Sequence, residues 1–325
     1  MPSRREFLGG ATILAGLAAA SSLRAGAPEI ESRSPSGARA RVLGTVQDGG
    51  LPQLGCERAC CVAARRDPSR ARRVASIGVS SREAGSVILV DATPDLRSQV
   101  AELRDASGIA ATPGLPVDAI LLTHAHIGHY TGLMYLGRES MAARAVPVLA
   151  TPGMVAFLRA NKPWSRLVEW GHVSLEAIEP GSPRRIAPGI EAEAMRVPHR
   201  NEDADTVAYF LTGPAKRLLY VPDTDAWEKW PRPLASILAD VDIALLDGTF
   251  FGPGEIPGRD ASQVPHPLMR STIDLLARRG AAGRCRVLFT HLNHSNPALD
   301  PSSPEAAAIV AAGLSVAEEG MELAL

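Results

Sequence analysis

Ile120-Leu121-Leu122-Thr123-His124-Ala125-His126-Ile127-Gly128-His129 is the stretch that decides how this chain reads. A short apolar run, of the length of a buried strand, ends in three imidazoles. His124 and His126 stand at i, i+2 in chain just leaving a strand, so both can face one ion; His129 follows as if a turn or the first turn of a helix brings it back. The pattern repeats outward along the chain. Met195-Arg196-Val197-Pro198 runs into His199, and Leu218 to Val221, then Pro222, leads to Asp223. Ile243 to Leu246 leads to Asp247-Gly248-Thr249, and Val287-Leu288-Phe289-Thr290 to His291-Leu292-Asn293-His294. A packed core has no use for an imidazole or carboxylate at the end of each strand. A metal site does, because strand ends are rigid and the loops leaving them converge on one crevice. Imidazole and carboxylate are the ligands of catalytic zinc and of non-haem iron, with a position left open for water.

Other short β-rich runs lie at 41–46, 76–80, 87–90, 146–150 and 207–211, and helical stretches at 95–103, 153–160, 267–279 and 304–312, with Asp95 and Ser303 as N-caps. Many strands, fewer helices and their mixed order predict an α/β (α+β) domain, either two sheets with helices outside or one large mixed sheet. With no repeat and no second linker, residues 40–325 read as a single domain. Ahead of it, Arg4-Arg5 followed by Phe7-Leu8, the apolar run Gly9 to Ala20 and the small-x-small end Ala25-Gly26-Ala27 describe a twin-arginine-type signal peptide over residues 1–27. The run is shorter than the roughly 20 residues that span a bilayer, so stable membrane insertion is not expected. Residues 28–39 read as a linker, and the expected location is the periplasm, reached through the twin-arginine export machinery.

Composition narrows the partners. Net charge is −1, with 34 basic and 35 acidic residues, and aromatics make up 4%. That is neither a nucleic-acid surface nor a set of stacking platforms for single strands, so a small-molecule substrate is expected. Oligomeric state is not legible. Four cysteines are too few for a disulfide scaffold at this length. Three of them, Cys56, Cys60 and Cys61, crowd one loop; three thiolates with a fourth ligand make a closed tetrahedral zinc site, while a disulfide or free thiols are the alternatives. The basic run Arg65-Arg66 and Arg70 to Arg73 reads as a solvated loop, and His172 as structural.

His-x-His-x-x-His after a strand, then a distant His, an Asp and a late His, resembles the metallo-β-lactamase superfamily. The resemblance covers essentially the whole expected mature chain. It implies an αββα sandwich, two mixed sheets with helices on the outside, and a two-metal site along its edge. Within the superfamily, Leu43-Gly44 with Gly49-Gly50-Leu51-Pro52-Gln53 and the cysteines, Asp247-Gly248-Thr249, and His291-Leu292-Asn293-His294-Ser295-Asn296-Pro297 are similar to the coenzyme PQQ synthesis protein B subfamily. Carried over, the resemblance implies one metal on His124, His126 and His199, with Asp223 bridging to a second shared by His129 and His291. The superfamily pattern has an Asp where this chain has Gly128, which removes a ligand of the second metal; His294 or Asp225 could replace it. Typical members of the PQQ subfamily lack the first two motif histidines and the export signal, and this chain has both. The resemblance also implies that a late histidine, here His266, completes the zinc site of Cys56, Cys60 and Cys61, although Cys-x3-Cys-Cys departs from the usual spacing.

The expected activity is metal-assisted hydrolysis: water activated at one or two zinc ions attacks an ester, amide or phosphodiester. Asp223 and His294 are the candidate catalytic residues, Asp223 to orient or deprotonate the water. No Gly-x-Ser-x-Gly elbow competes. Two alternatives stay open: iron in the same ligands doing oxygen chemistry on a PQQ precursor, or a non-catalytic periplasmic carrier of PQQ.

Overall fold

The computed structural model describes residues 37–255, 265–278 and 284–325. The signal peptide expected at 1–27, and the expected linker up to residue 36, lie outside the described residues. The strands are β1 (Ala38–Gly44), β2 (Ser76–Ser81), β3 (Ser86–Val90), β4 (Ala119–Leu121), β5 (Val146–Ala150), β6 (Val173–Ala177) and β7 (Arg184–Ala187). They continue as β8 (Ile190–Arg196), β9 (Val207–Thr212), β10 (Arg217–Val221), β11 (Ile243–Asp247), β12 (Arg286–Thr290), β13 (Ser315–Val316) and β14 (Glu322–Ala324). β1 begins at Ala38, inside the span read as linker.

Alternation along these strands sorts the chain into layers, since successive side chains point to opposite faces. In β3, Ile88 and Val90 pack into one buried cluster while Val87 and Leu89 pack into another. In β10, Leu218 and Tyr220 join the first cluster and Leu219 and Val221 a third. The shared cluster is therefore the interior of a two-sheet sandwich, and the other two lie on its outer faces. One seven-stranded sheet has the order β14-β1-β2-β3-β4-β5-β6, and the other β13-β12-β11-β10-β9-β8-β7. Helices cover the outside: α1 (Ala59–Arg66), α2 (Leu96–Ser107), α3 (Ile127–Tyr130), α4 (Pro152–Ala160) and α5 (Trp164–Glu169) come from the first half. The second half supplies α6 (Leu234–Leu238), α7 (Met269–Arg278) and α8 (Pro304–Ala311). The architecture is the expected αββα sandwich.

Strand direction explains where the polar residues go. β3, β4, β5 and β6 are parallel, as are β10, β11, β12 and β13. β1 is antiparallel to β2, which is antiparallel to β3, so β1 runs with β3; the same two reversals make β8 run with β10. The loops that leave these strands at their C-terminal ends therefore emerge at one edge of the sandwich.

Two local expectations are corrected. Asp95 precedes α2 but does not cap it; its Oδ2 accepts from Val74 N at 2.8 Å, whereas Ser303 Oγ does accept from Ala306 N at 3.0 Å. Arg73 is not solvated: it bonds Glu319 through Nε at 2.9 Å and pairs with Glu102 on α2, which also accepts from Arg41 Nε at 2.9 Å. These contacts tie the start of β1, the loop before β2 and α2 to the C-terminal segment.

Candidate metal centre

Seven strand ends deliver side chains to the common edge. Asp48 follows β1, Asp91 follows β3, His124, His126 and His129 follow β4, and His199 follows β8. Asp223 follows β10, Asp247 closes β11 and His291 follows β12. Two of these positions are held in the left-handed region that few non-glycine residues adopt, Asp91 at φ 68° and His291 at φ 61°. Backbone strain of this kind persists where surrounding structure over-determines it, and it gathers at functional sites.

Each histidine is aimed by a partner behind it. His129 Nδ1 lies 2.7 Å from Asp91 Oδ2, and His124 Nδ1 lies 2.9 Å from Thr123 Oγ1, which itself bonds Asp91 Oδ1 at 2.9 Å. One buried carboxylate thus sets two rings. His199 Nδ1 faces Asp225 Oδ1 at 3.3 Å, and His291 Nδ1 faces Thr249 Oγ1 at 3.1 Å. A donated Nδ1–H leaves Nε2 with its lone pair, the form that binds a metal. His126 is turned the other way: its Nε2 faces Glu202 at 3.4 Å and its Nδ1 points inward.

The inward atoms converge on Asp223. Its Oδ2 lies 3.3 Å from His124 Nε2, 3.2 Å from His199 Nε2 and 3.7 Å from His126 Nδ1, and His199 Nε2 stands 3.2 Å from His126 Nδ1. Ligands about 2.0–2.1 Å from a tetrahedral zinc stand roughly 3.3–3.4 Å from one another, so this donor set fits such an ion. A second group lies beside it. Asp48 Oδ1 is 3.4 Å from His129 Nε2, and with His291 these ligand atoms all fall within 4.8 Å of one another. His124 Nε2, His129 Nε2, His291 Nε2, Asp48 Oδ1 and Asp223 Oδ1 are buried with no hydrogen-bond partner. Buried polar groups are rarely left unpaired, and each costs about 1–3 kcal/mol. Five of them, divided between these two neighbouring groups, are what a pair of cation sites requires. The carboxylates and rings perturb one another. Burial would raise Asp223 and Asp48, but facing histidines hold both below the usual carboxylate range. Burial would lower His129, but Asp91 and Asp48 push it to about 10.

The structure moves two histidines from their expected places. His266 is not beside the cysteines. Its Nδ1 lies 2.8 Å from Asp247 Oδ2 and 3.3 Å from Asp223 Oδ1, and these carboxylates outweigh burial to raise it to about 9. His294, expected to act in catalysis or at the second metal, points instead at Cys56 Sγ, 3.5 Å from its Nε2. Cys56, Cys61 and His294 form a group that could hold a metal, and all four cysteines are free thiols. Cys60 does not join them. It and Cys61 are consecutive on α1, where neighbours point about 100° apart; Cys61 is buried and accepts from Gln53 N at 3.3 Å. Asp225 is held by His199 and Lys229, away from His129. Asp48, Asp91 and Glu202 were not singled out from sequence. Asp48 and Asp91 each follow a recognised strand, so applying the strand-end rule to every strand would have found both.

Comparison with known proteins agrees with this geometry. The β-lactamase superfamily domain matches residues 86–292, and the chain belongs to that superfamily. Coenzyme PQQ synthesis protein B of Methylobacterium radiotolerans is 30% identical over 316 residues, covering 88% of this chain and 100% of that protein. The protein of the same name from Xanthomonas euvesicatoria is 28% identical over 314 residues, covering 87% and 99%. Within the superfamily, the chain is thus a member of the coenzyme PQQ synthesis protein B family. Zn(2+)-bound PqqB from Methylobacterium extorquens superposes with a TM-score of 0.74 at 25% identity, covering 88% of this chain and 100% of that one. A diphosphatase of the PhnP family shares the fold, with a TM-score of 0.61 at 22% identity over 89% and 97% of the two chains.

Proposed function

We propose that this protein is a metal-dependent hydrolase of a small ester, amide or phosphodiester, working at the edge where His124, His126, His199 and Asp223 meet. The observation that carries the reading is the convergence of ring nitrogens of His124, His126 and His199 on Asp223 Oδ2, with His124 and His199 held from behind by Thr123 and Asp225. A divalent metal held there supplies Lewis acidity and a water acidified toward neutral pH. Around it, Asp223 presents Oδ2 to three histidines and Oδ1 to His266, so it can orient the attacking water and accept its proton. His266, kept protonated by Asp247 and Asp223, stands against the same carboxylate and is the group placed to protonate the departing oxygen or nitrogen. Asp91, Thr123, Thr249 and Asp225 fix ring orientation and do not react. The cysteine pair with His294 is read as a separate structural zinc site. Arg4-Arg5-Glu6-Phe7-Leu8 and the apolar run after it support export and a reaction in the periplasm.

A second reading is favoured by the relatives' names: the substrate is a PQQ precursor, and the same ligands hold iron for oxygen chemistry. One experiment separates the two. The zinc-loaded and iron-loaded protein is incubated with bis(p-nitrophenyl) phosphate, p-nitrophenyl esters and tyrosine-derived PQQ precursors in 18O-labelled water, and then under 18O2. Hydrolysis puts label from water into the product with zinc present and oxygen absent. Label from 18O2 only, with no turnover of any ester or phosphodiester, rejects the hydrolase.

A further inference from the structure

Gly128 lies in the first turn of α3, outside the left-handed region of φ, so its backbone does not call for glycine. Its surroundings do. A Cβ added at 128 would lie 2.1 Å from Asp48 Oδ1 and 2.8 Å from Asp48 Cα, closer than real Cβ atoms come to any neighbour. Even alanine would collide there. The atom in that space is a buried, unpartnered carboxylate oxygen, 3.4 Å from His129 Nε2. We infer that Asp48 supplies the second-metal carboxylate that the superfamily pattern places at residue 128, delivered from the loop after β1 instead of from the histidine motif. The two acids exclude each other sterically, so the chain carries one or the other.

The loop is built to hold a ligand. Val46 forms a parallel bridge with Leu292, and Gln47 N donates to Leu292 O at 2.9 Å, next to His291. Gly50 N donates back to Gln47 O at 2.8 Å, and Leu51 N to Arg72 O at 3.0 Å. Asp48 and His291 therefore hang from one hydrogen-bonded pair of segments. Rigid support of that kind is what turns a loop residue into a positioned ligand.

The inference rests on the metal-centre reading above, and its test separates the two. Metal content by elemental mass spectrometry and affinity by chelator competition are measured on wild type, Asp48→Ala, Asp48→Asn, the exchange Asp48→Ala/Gly128→Asp, and His124→Ala/His126→Ala. Thermal melting of each metal-free protein shows which are folded. Asp48→Ala and Asp48→Asn should lose the weaker ion, with affinity down more than about 100-fold, beyond the roughly 10–100-fold cost of removing a residue behind a ligand. The exchange should recover part of that affinity, because losing the Asp48 carboxylate clears the 2.1 Å contact and leaves the 2.8 Å contact with the Cα of residue 48 for a small loop shift to relieve; a merely structural Asp48 would give no recovery. Folded Asp48 variants that keep every ion at wild-type affinity overturn the inference alone if His124→Ala/His126→Ala loses metal. If the histidine variant also keeps its metal, the metal-centre reading falls with it.

Discussion

The histidine–aspartate cluster and the cysteine group differ in how they are built. The histidine and aspartate cluster hangs on strand ends, with each ring braced by a second side chain. The Cys56, Cys61 and His294 group joins two loops and a short helix, and a backbone N–H, from Gln53 to Cys61, stands behind it in place of a side chain. The first presents orphaned atoms to an open edge and suits chemistry. The second offers two sulfurs and one nitrogen in a half-buried corner and suits a staple. Precision is spent where geometry must survive a reaction, and adaptable loops suffice where an ion need only be held.

Asp223→Asn keeps shape and removes charge from the point shared by the facing histidines. Turnover should fall by at least about 10³-fold, as when a member of an interdependent catalytic set is lost, measured as kcat on the best substrate of the panel. A smaller effect belongs to His266→Gln. A proton donor contributes about 10²–10⁴-fold, so kcat should drop within that range on poor leaving groups and far less on p-nitrophenol, with KM little changed. Equal losses on both leaving groups would make His266 a ligand or a support instead.

The cysteine group should behave oppositely. Cys56→Ser or His294→Ala should leave kcat within a few-fold yet lower thermal stability by about 2–5 kcal/mol, in line with losing a structural cross-link, with one zinc fewer per chain. Cys60→Ser should shift stability by less than about 1 kcal/mol, because Cys60 is outside the group. Loss of turnover in Cys56→Ser would dissolve the distinction between the two sites.

The smallest expected effect lies away from both. Burial alone would raise Glu102, but bonds from Arg73 and Arg41 hold its pKa below the ordinary 4.5. A depressed folded pKa contributes stability that is present above 4.5 and lost as pH falls through the lower folded value. Glu102→Gln should therefore cost about 1–2 kcal/mol at pH 7, and the wild-type and variant melting curves should converge in acid.

The strand-end cluster is more legible in the sequence than the rest. Apolar runs ending in His or Asp mark a converging edge because strands are stiff and their order in the chain is preserved in their direction. His124, His126, His129, His199, Asp223 and His291 are legible for that reason. His266 and His294 are exchanged in the sequence reading because both sit on loops, where chain position says little about direction. Asp48 is marked only by its place after the first apolar run, and the Gly128 that makes room for it carries no chemistry of its own. The edge strands β6, β7, β13 and β14 also escape: β6 and β13 are half exposed along their length, so they lack the apolar run that marks an inner strand.

Metal content decides whether the strand-end histidines form a metal centre. Elemental mass spectrometry on wild type and on His124→Ala/His126→Ala, both purified without added metal, should find more than one ion per wild-type chain. The variant should retain only the ion held at Cys56, Cys61 and His294. Identical metal content in the two proteins would contradict the assignment of a metal centre to the strand-end histidines.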